Sequence, residues 1–97
     1  MQWFVYVLRS EVDGRFYVGM SEDVDRRLKE HNNGRTKSTK GYRPWMLFFV
    51  ESFATRSEAR TREVYLKSGT GKELIKRKWS EIQSDQDKKS WSGSSAG

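Results

Sequence analysis

The sequence predicts an α/β domain, a three-stranded antiparallel sheet flanked by helices in the order β-β-α-β-α-α. Three observations predict it. Trp3 to Leu8 and Trp45 to Val50 are unbroken apolar runs rich in aromatic and β-branched residues, as buried strands are. The turn signal Asp13-Gly14 folds the first run back onto Arg15 to Met20 as a hairpin. Two later segments, Val24-Leu28-His31 and Ala59-Glu63-Leu66, repeat at i, i+4, i+7, which puts each set on one helical face.

The elements follow in order. After the hairpin, Ser21 is the expected helix N-cap, with Glu22 and Asp23 in the first turn, where the helix dipole favours acids. This helix runs to Asn32 or Asn33 and stops at Gly34. Residues 35–44 carry Arg35, Lys37, Lys40 and Arg43 with no acid, and form a basic loop closed by Pro44 ahead of the third strand. Thr55 or Ser57 caps a second helix that reaches about Lys67, and Ser68-Gly69-Thr70-Gly71 breaks it. Lys72 to Trp79 reads as a short, very basic last helix. Residues 80–97 are almost all Ser, Gly, Lys, Asp and Gln, and read as a flexible polar tail behind a working domain of residues 1–79.

Composition narrows the chemistry. The 97 residues include no cysteine, so disulfides, thiolate catalysis and cysteine–zinc sites are excluded. A single histidine excludes a histidine-rich metal site within one chain. No apolar run approaches the roughly 20 residues that span a bilayer, and the N-terminus lacks a signal-peptide pattern. A cytosolic protein without a membrane partner is the expectation, as a monomer or weak dimer. The formal charge is +6, and residues 80–97 hold three acids against two lysines, which leaves +7 on residues 1–79. A small, basic, aromatic-rich domain points to nucleic acid.

Hairpin parity then decides which side chains meet. A loop with an even number of residues pairs odd positions with even ones. With Glu11 to Gly14 as a four-residue loop, Leu8 opposes Tyr17 and Tyr6 opposes Gly19, so the two tyrosines share a face. Gly19 leaves a gap beside Tyr6 in which another backbone or a ligand would fit. Arg27 and His31 lie on or beside the apolar stripe of the first helix. Glu63 sits inside the stripe of the second, where a carboxylate is costly unless it is paired or bound to a cation. Two tyrosines, an arginine, a histidine and a glutamate thus point inward beside a basic surface.

These residues resemble the GIY-YIG nuclease domain, over residues 2 to about 79. Val5-Tyr6 stands where the family's first motif ends, and Tyr17-Val18-Gly19 is similar to its second motif with Val for Ile. "DVDRRLKEHNNG" resembles the first-helix motif, with Arg27 at the family's arginine and His31 at the histidine of one branch. "SEARTREVYLKSG" resembles the second-helix motif and puts Glu63 at the metal-binding glutamate. Phe4 replaces the first motif's glycine, and the asparagine that some members carry after the glutamate helix has no counterpart. The small stand-alone members are the most similar.

The resemblance implies a metal-dependent endonuclease that hydrolyses DNA phosphodiesters, structured or single-stranded, with RNA also open as a substrate. The alternative is a non-catalytic nucleic-acid-binding module of the same fold. Glu63 would be the protein ligand to Mg²⁺ (or Mn²⁺), whose shell water and phosphate complete. Arg27 would hold a phosphate oxygen with its planar fork. Tyr6 is favoured as general base or base partner with Tyr17 positioning water or phosphate, and the reverse assignment stays open. A free phenol, with a pKa of about 10, is a poor base at pH 7. Nearby Arg27 and a metal would have to lower that pKa, unless His31 accepts or relays the proton. Lys37, Lys40, Arg43, Arg60 and Lys72 would contact the nucleic-acid backbone. Tyr42, Trp45 and Trp79 are candidates to stack on bases, with core packing favoured for Trp45.

Overall fold

The first apolar run becomes β1 (Trp3–Ser10), the central strand of an antiparallel sheet. On either side of it lie β2 (Phe16–Ser21) and β3 (Trp45–Phe53), giving the order β2-β1-β3. Its central position explains the run: Val5, Tyr6, Val7 and Leu8 alternate between the two faces, and all four are buried. The computed structural model describes residues 2–96, with side chains described as far as residue 82.

The hairpin closes with the four-residue loop. The Ser10 N–H donates to the Arg15 carbonyl at 2.8 Å, Leu8 faces Tyr17 and Tyr6 faces Gly19. Gly14 turns the corner with φ +77°. The buried Ser10 hydroxyl accepts from the Val12 N–H and donates to the Tyr42 carbonyl at 2.7 Å, which ties the basic loop to the hairpin.

Helix α1 (Val24–Asn32) starts two residues later than expected for a Ser21 cap. Ser21 pairs with Phe4 as the last residue of β2, so Asp23 becomes the N-cap and accepts from the Arg26 N–H at 3.1 Å. The Ser21 hydroxyl accepts from the Asp23 N–H at 2.9 Å and shapes the turn between strand and helix. At the other end Gly34 has φ +77°, the left-handed geometry that ends helices. Asn32 then clamps the start of β3: its amide donates to the Trp45 carbonyl at 3.0 Å, and its oxygen accepts the Trp45 N–H at 2.6 Å. Tyr6, Leu8 and Trp45 form a core cluster on the α1 side of the sheet, with Tyr17, Val24, Leu28 and Tyr42 packed against it.

The basic loop contains one 3₁₀ turn, Lys40–Tyr42. Strand β3 is longer than the apolar run that announced it, reaching Phe53, with an irregularity opposite Val7 and Leu8. Helix α2 (Arg56–Lys67) opens on a capping box: the Glu58 N–H donates to the Thr55 hydroxyl, and Glu58 accepts the Thr55 N–H, both at 3.2 Å. Arg62 of α2 makes a two-pronged bond to Glu51 of β3 at 2.8 and 3.2 Å, which fixes the near half of α2 to the sheet.

The chain divides into two compact units, Met1–Val64 and Tyr65–Gly97. In the second, α3 spans Gly69–Ala96, three residues earlier than the expected start at Lys72 and well past Trp79. The early start has a local cause, because the Ser68 hydroxyl accepts the Gly71 N–H at 3.2 Å and caps the helix. The far end also has one, since no Gly or Pro stands between Gly71 and Gly93 to stop it. The side chains of residues 83–97, where most of the expected polar tail falls, lie outside the described residues. Among the described residues, no helix is long and apolar enough to cross a membrane.

Candidate active site

The first unit brings four of the five expected side chains into one linked group. Tyr6 comes from the central strand, Tyr17 from β2, and Arg27 and His31 from successive turns of α1. The Tyr6 phenol oxygen lies 3.2 Å from His31 Nε2. The Arg27 guanidinium lies close enough to the same phenol to act on its ionisation. The Tyr17 ring meets the His31 ring edge-on at 4.7 Å between centroids and the Tyr6 ring at 6.3 Å. Tyr6 and His31 are buried, whereas Tyr17 and Arg27 are partly exposed, so the group has a closed floor and an open rim.

Glu63, on α2, is also buried, with 6 % of its surface exposed, and lies close enough for its charge to act on Tyr6. Its Oε1 accepts from the Arg60 guanidinium at 2.7 Å. Arg60, expected among the nucleic-acid contacts, is two-thirds exposed and pairs with this carboxylate.

Gly19 corrects one expectation. The space beside it holds no second backbone and is filled by Tyr6 itself: a Cβ on Gly19 would lie 2.5 Å from the Tyr6 hydroxyl and 3.1 Å from the Tyr17 ring. Gly19 is therefore the floor on which both tyrosines rest.

Electrostatics correct another. Burial pushes the Tyr6 pKa above the ordinary phenol value. The nearby Arg27 guanidinium opposes this, the neighbouring Tyr17 and Glu63 add to it, and the net direction is upward. Arg27 alone therefore does not make Tyr6 a phenolate. His31 moves downward, because burial and the Arg27 charge both disfavour imidazolium, against a smaller opposing effect of Glu30. A neutral imidazole beside a neutral phenol can accept its hydrogen bond. Arg27 stays cationic, braced by Glu30 and Tyr6.

The donor set suits a hard divalent cation bound through few protein atoms. Among the described residues, no cluster of three or more His, Cys, Asp or Glu side chains surrounds a point. Mg²⁺ is commonly held by one or two carboxylates, with water and phosphate supplying the rest. Glu63 offers such a carboxylate, and its partner Arg60 is an exposed, mobile-stemmed side chain.

Lys37 ahead of the 3₁₀ turn, Lys40 within it and Arg43 just after it are exposed, and Lys72 is exposed in the second unit. Trp45 is a core residue whose indole N–H donates to the Thr39 carbonyl at 2.9 Å, and Arg15 stacks on the Tyr42 ring at 3.6 Å. A separate hollow lined by Phe4, Glu22, Asp23, Val24, Asp25, Leu47 and Val50 contains none of the five site residues, and its three acids repel a phosphate backbone.

One buried side chain of this network had no sequence signal. Thr39, 1 % exposed, sits 2.8 Å from His31 Nδ1, the ring nitrogen opposite Tyr6. A threonine in a basic loop, eight positions past the histidine, carries no periodicity that would have marked it.

A three-stranded sheet thus presents two tyrosines to a helix that carries an arginine and a histidine, and comparison with known sequences places this arrangement in a nuclease superfamily. A family model described as the GIY-YIG catalytic domain matches residues 2–87, and the chain belongs to that family. It is 40 % identical to a UPF0213 protein of Staphylococcus epidermidis over 74 residues, 75 % of this chain and 89 % of that protein. UPF0213 protein YazA of Bacillus subtilis is 43 % identical over 70 residues, 71 % of this chain and 70 % of that protein. The solution structure of a UPF0213 protein from Bacillus halodurans shares 37 % identity, with 77 % of this chain and 82 % of that one covered and a TM-score of 0.49.

Proposed function

We propose that this protein is a divalent-metal-dependent endonuclease that hydrolyses phosphodiester bonds in DNA. One observation carries the reading. The Tyr6 phenol lies 3.2 Å from His31 Nε2, with the charges of Arg27 and Glu63 both acting on it, on an open-rimmed site. A structural tyrosine has no need of a buried carboxylate, a cation and an imidazole around its hydroxyl.

In this reading Glu63 would hold Mg²⁺ or Mn²⁺, which would supply neutralisation of the developing negative charge. Arg27 orients a non-bridging phosphate oxygen, as a planar donor fork does well. The attacking water forms the new O–P bond and gives its proton to the Tyr6 oxygen, while the Tyr6 proton passes to His31 Nε2. The P–O3′ bond breaks, and the 3′-oxygen takes a proton from solvent to leave a 3′-hydroxyl and a 5′-phosphate. Passing the proton through Tyr6 avoids a standing phenolate, which the raised Tyr6 pKa disfavours. Tyr17, beside His31 and partly exposed, positions the water or the phosphate. Lys37, Lys40 and Arg43 supply sequence-blind backbone contacts.

The test is cleavage of single-stranded, duplex and branched DNA, and of RNA, in Mg²⁺ or Mn²⁺, with Glu63→Gln and Tyr6→Phe in parallel. Metal-dependent cutting lost in both variants is the expected result. Binding without cutting, equal in all three proteins, identifies a nucleic-acid-binding module and overturns the proposal.

A further inference from the structure

We propose that Thr39 is a positioning residue, which holds His31 as the Nδ1–H tautomer so that Nε2 faces Tyr6 as a bare proton acceptor. This rests on the nuclease reading for its consequence, but the geometry stands apart from it.

The direction of the hydrogen bonds follows from what each group can do. The Thr39 hydroxyl donates its one proton to the Thr36 carbonyl at 3.3 Å, so towards His31 Nδ1, at 2.8 Å, its oxygen can only accept. Nδ1 therefore carries the hydrogen of the neutral imidazole, and Nε2 is left to accept from the Tyr6 phenol at 3.2 Å. The result is a one-way chain from Tyr6 through His31 and Thr39 to a backbone carbonyl. In the other tautomer the Thr39 hydroxyl would turn away from Thr36 to donate to a bare Nδ1.

Thr39 is built to hold this position. It is buried, and its carbonyl accepts from the Trp45 indole and from the Tyr42 N–H at 3.1 Å. The hydroxyl is thus fixed by the core on one side and the 3₁₀ turn on the other. The hydrogen bond made by one ring nitrogen sets which nitrogen is protonated at the other.

The single histidine makes the test direct. Long-range ¹H–¹⁵N correlation on the ¹⁵N-labelled full-length chain at neutral pH reports one imidazole without assignment ambiguity. The expected result is a pyrrole-type Nδ1 and a pyridine-type Nε2 in the wild type and in Thr39→Ser, with Thr39→Val shifted towards the Nε2–H form. With cleaved DNA as readout, Thr39→Val lowers kcat by about 10- to 100-fold at unchanged KM, as loss of an orienting partner does, and Thr39→Ser restores it. An Nε2–H ring in the wild type overturns the inference, and needs no variant to fold. So does a tautomer that ignores Thr39→Val, or a Thr39→Val protein with wild-type kcat. A wild-type chain with the expected tautomer that cuts nothing refutes the nuclease reading while supporting the tautomer assignment.

Discussion

Adding one methyl group at Gly19 should disable the site without touching any charged residue. Gly19 does not have a positive φ, so Gly19→Ala meets no backbone strain and tests space alone. The new Cβ would lie 2.5 Å from the Tyr6 hydroxyl oxygen and 2.6 Å from the carbon that bears it, whereas ordinary contact begins at 3.4 Å. The tip of the ring must therefore retreat by about 1 Å, and overpacking on that scale costs about 1–3 kcal/mol. A retreat of that size also stretches the Tyr6–His31 bond, already 3.2 Å, beyond useful length, at a further cost of about 1 kcal/mol. For a domain of this size the melting temperature should fall by roughly 10 °C or more. A 1 Å error in a reacting group costs on the order of 10²-fold in rate. Gly41→Ala is the matched control, since nothing lies within 4 Å of a Cβ there. Cleavage rates of both variants, with thermal melts of each alone and in a Tyr6→Phe background, make the assay. Removing the phenol oxygen should relieve part of the Gly19→Ala penalty. A Gly19→Ala protein that melts and cuts like Gly41→Ala, or a penalty unchanged in the Phe background, would refute the reasoning.

Other expectations are simpler to state. Arg27→Lys keeps the charge but loses the planar fork, and cleavage should fall about 10²-fold with little change in melting temperature; equal rates would show that only charge matters there. Asn32→Ala removes both hydrogen bonds to Trp45 and should cost about 1–3 kcal/mol in urea unfolding, and a loss below about 0.5 kcal/mol would mean the clamp is incidental. The folded His31 pKa lies below its unfolded value near 6.5, so as pH falls through about 6.5 the unfolded chain takes up a proton that the folded chain refuses. Stability should therefore decline from that pH downward until the folded value is passed, and urea midpoints of the wild type and His31→Gln between pH 7.5 and 5, on the order of the reference range, should converge on acidification. Alanine at Lys37, Lys40 and Arg43 together should flatten the dependence of DNA binding on log salt by about 2–3 in slope, and an unchanged slope would move the interface elsewhere.

The hairpin was legible because strand parity is discrete: once the loop has an even number of residues, Tyr6 and Tyr17 share a face whatever surrounds them. The helical stripes were legible for the same reason: His31 and Glu63 fall on buried faces, with Arg27 partly exposed one turn before His31. What periodicity does not encode was lost. Ser21 reads as a cap until Phe4 pairs with it, and that pairing is a tertiary fact. Gly19 reads as an open gap until the long Tyr6 ring leans across it. The Tyr6 pKa depends on a balance of burial against Arg27, and burial wins. Thr39 enters the site only because a 3₁₀ turn and the Trp45 indole carry a loop residue beneath His31.

The central position of β1 has a consequence for biosynthesis. This strand is made before both of its neighbours, yet the second of them pairs Trp3 with Phe53, fifty residues later. Until then the hairpin stands almost alone, and two strands are marginal in water. The five site side chains run from residue 6 to residue 63, so Glu63 is the last to emerge. A nascent chain therefore carries its tyrosines, arginine and histidine well before its acid, and the five come together only after Glu63 has emerged.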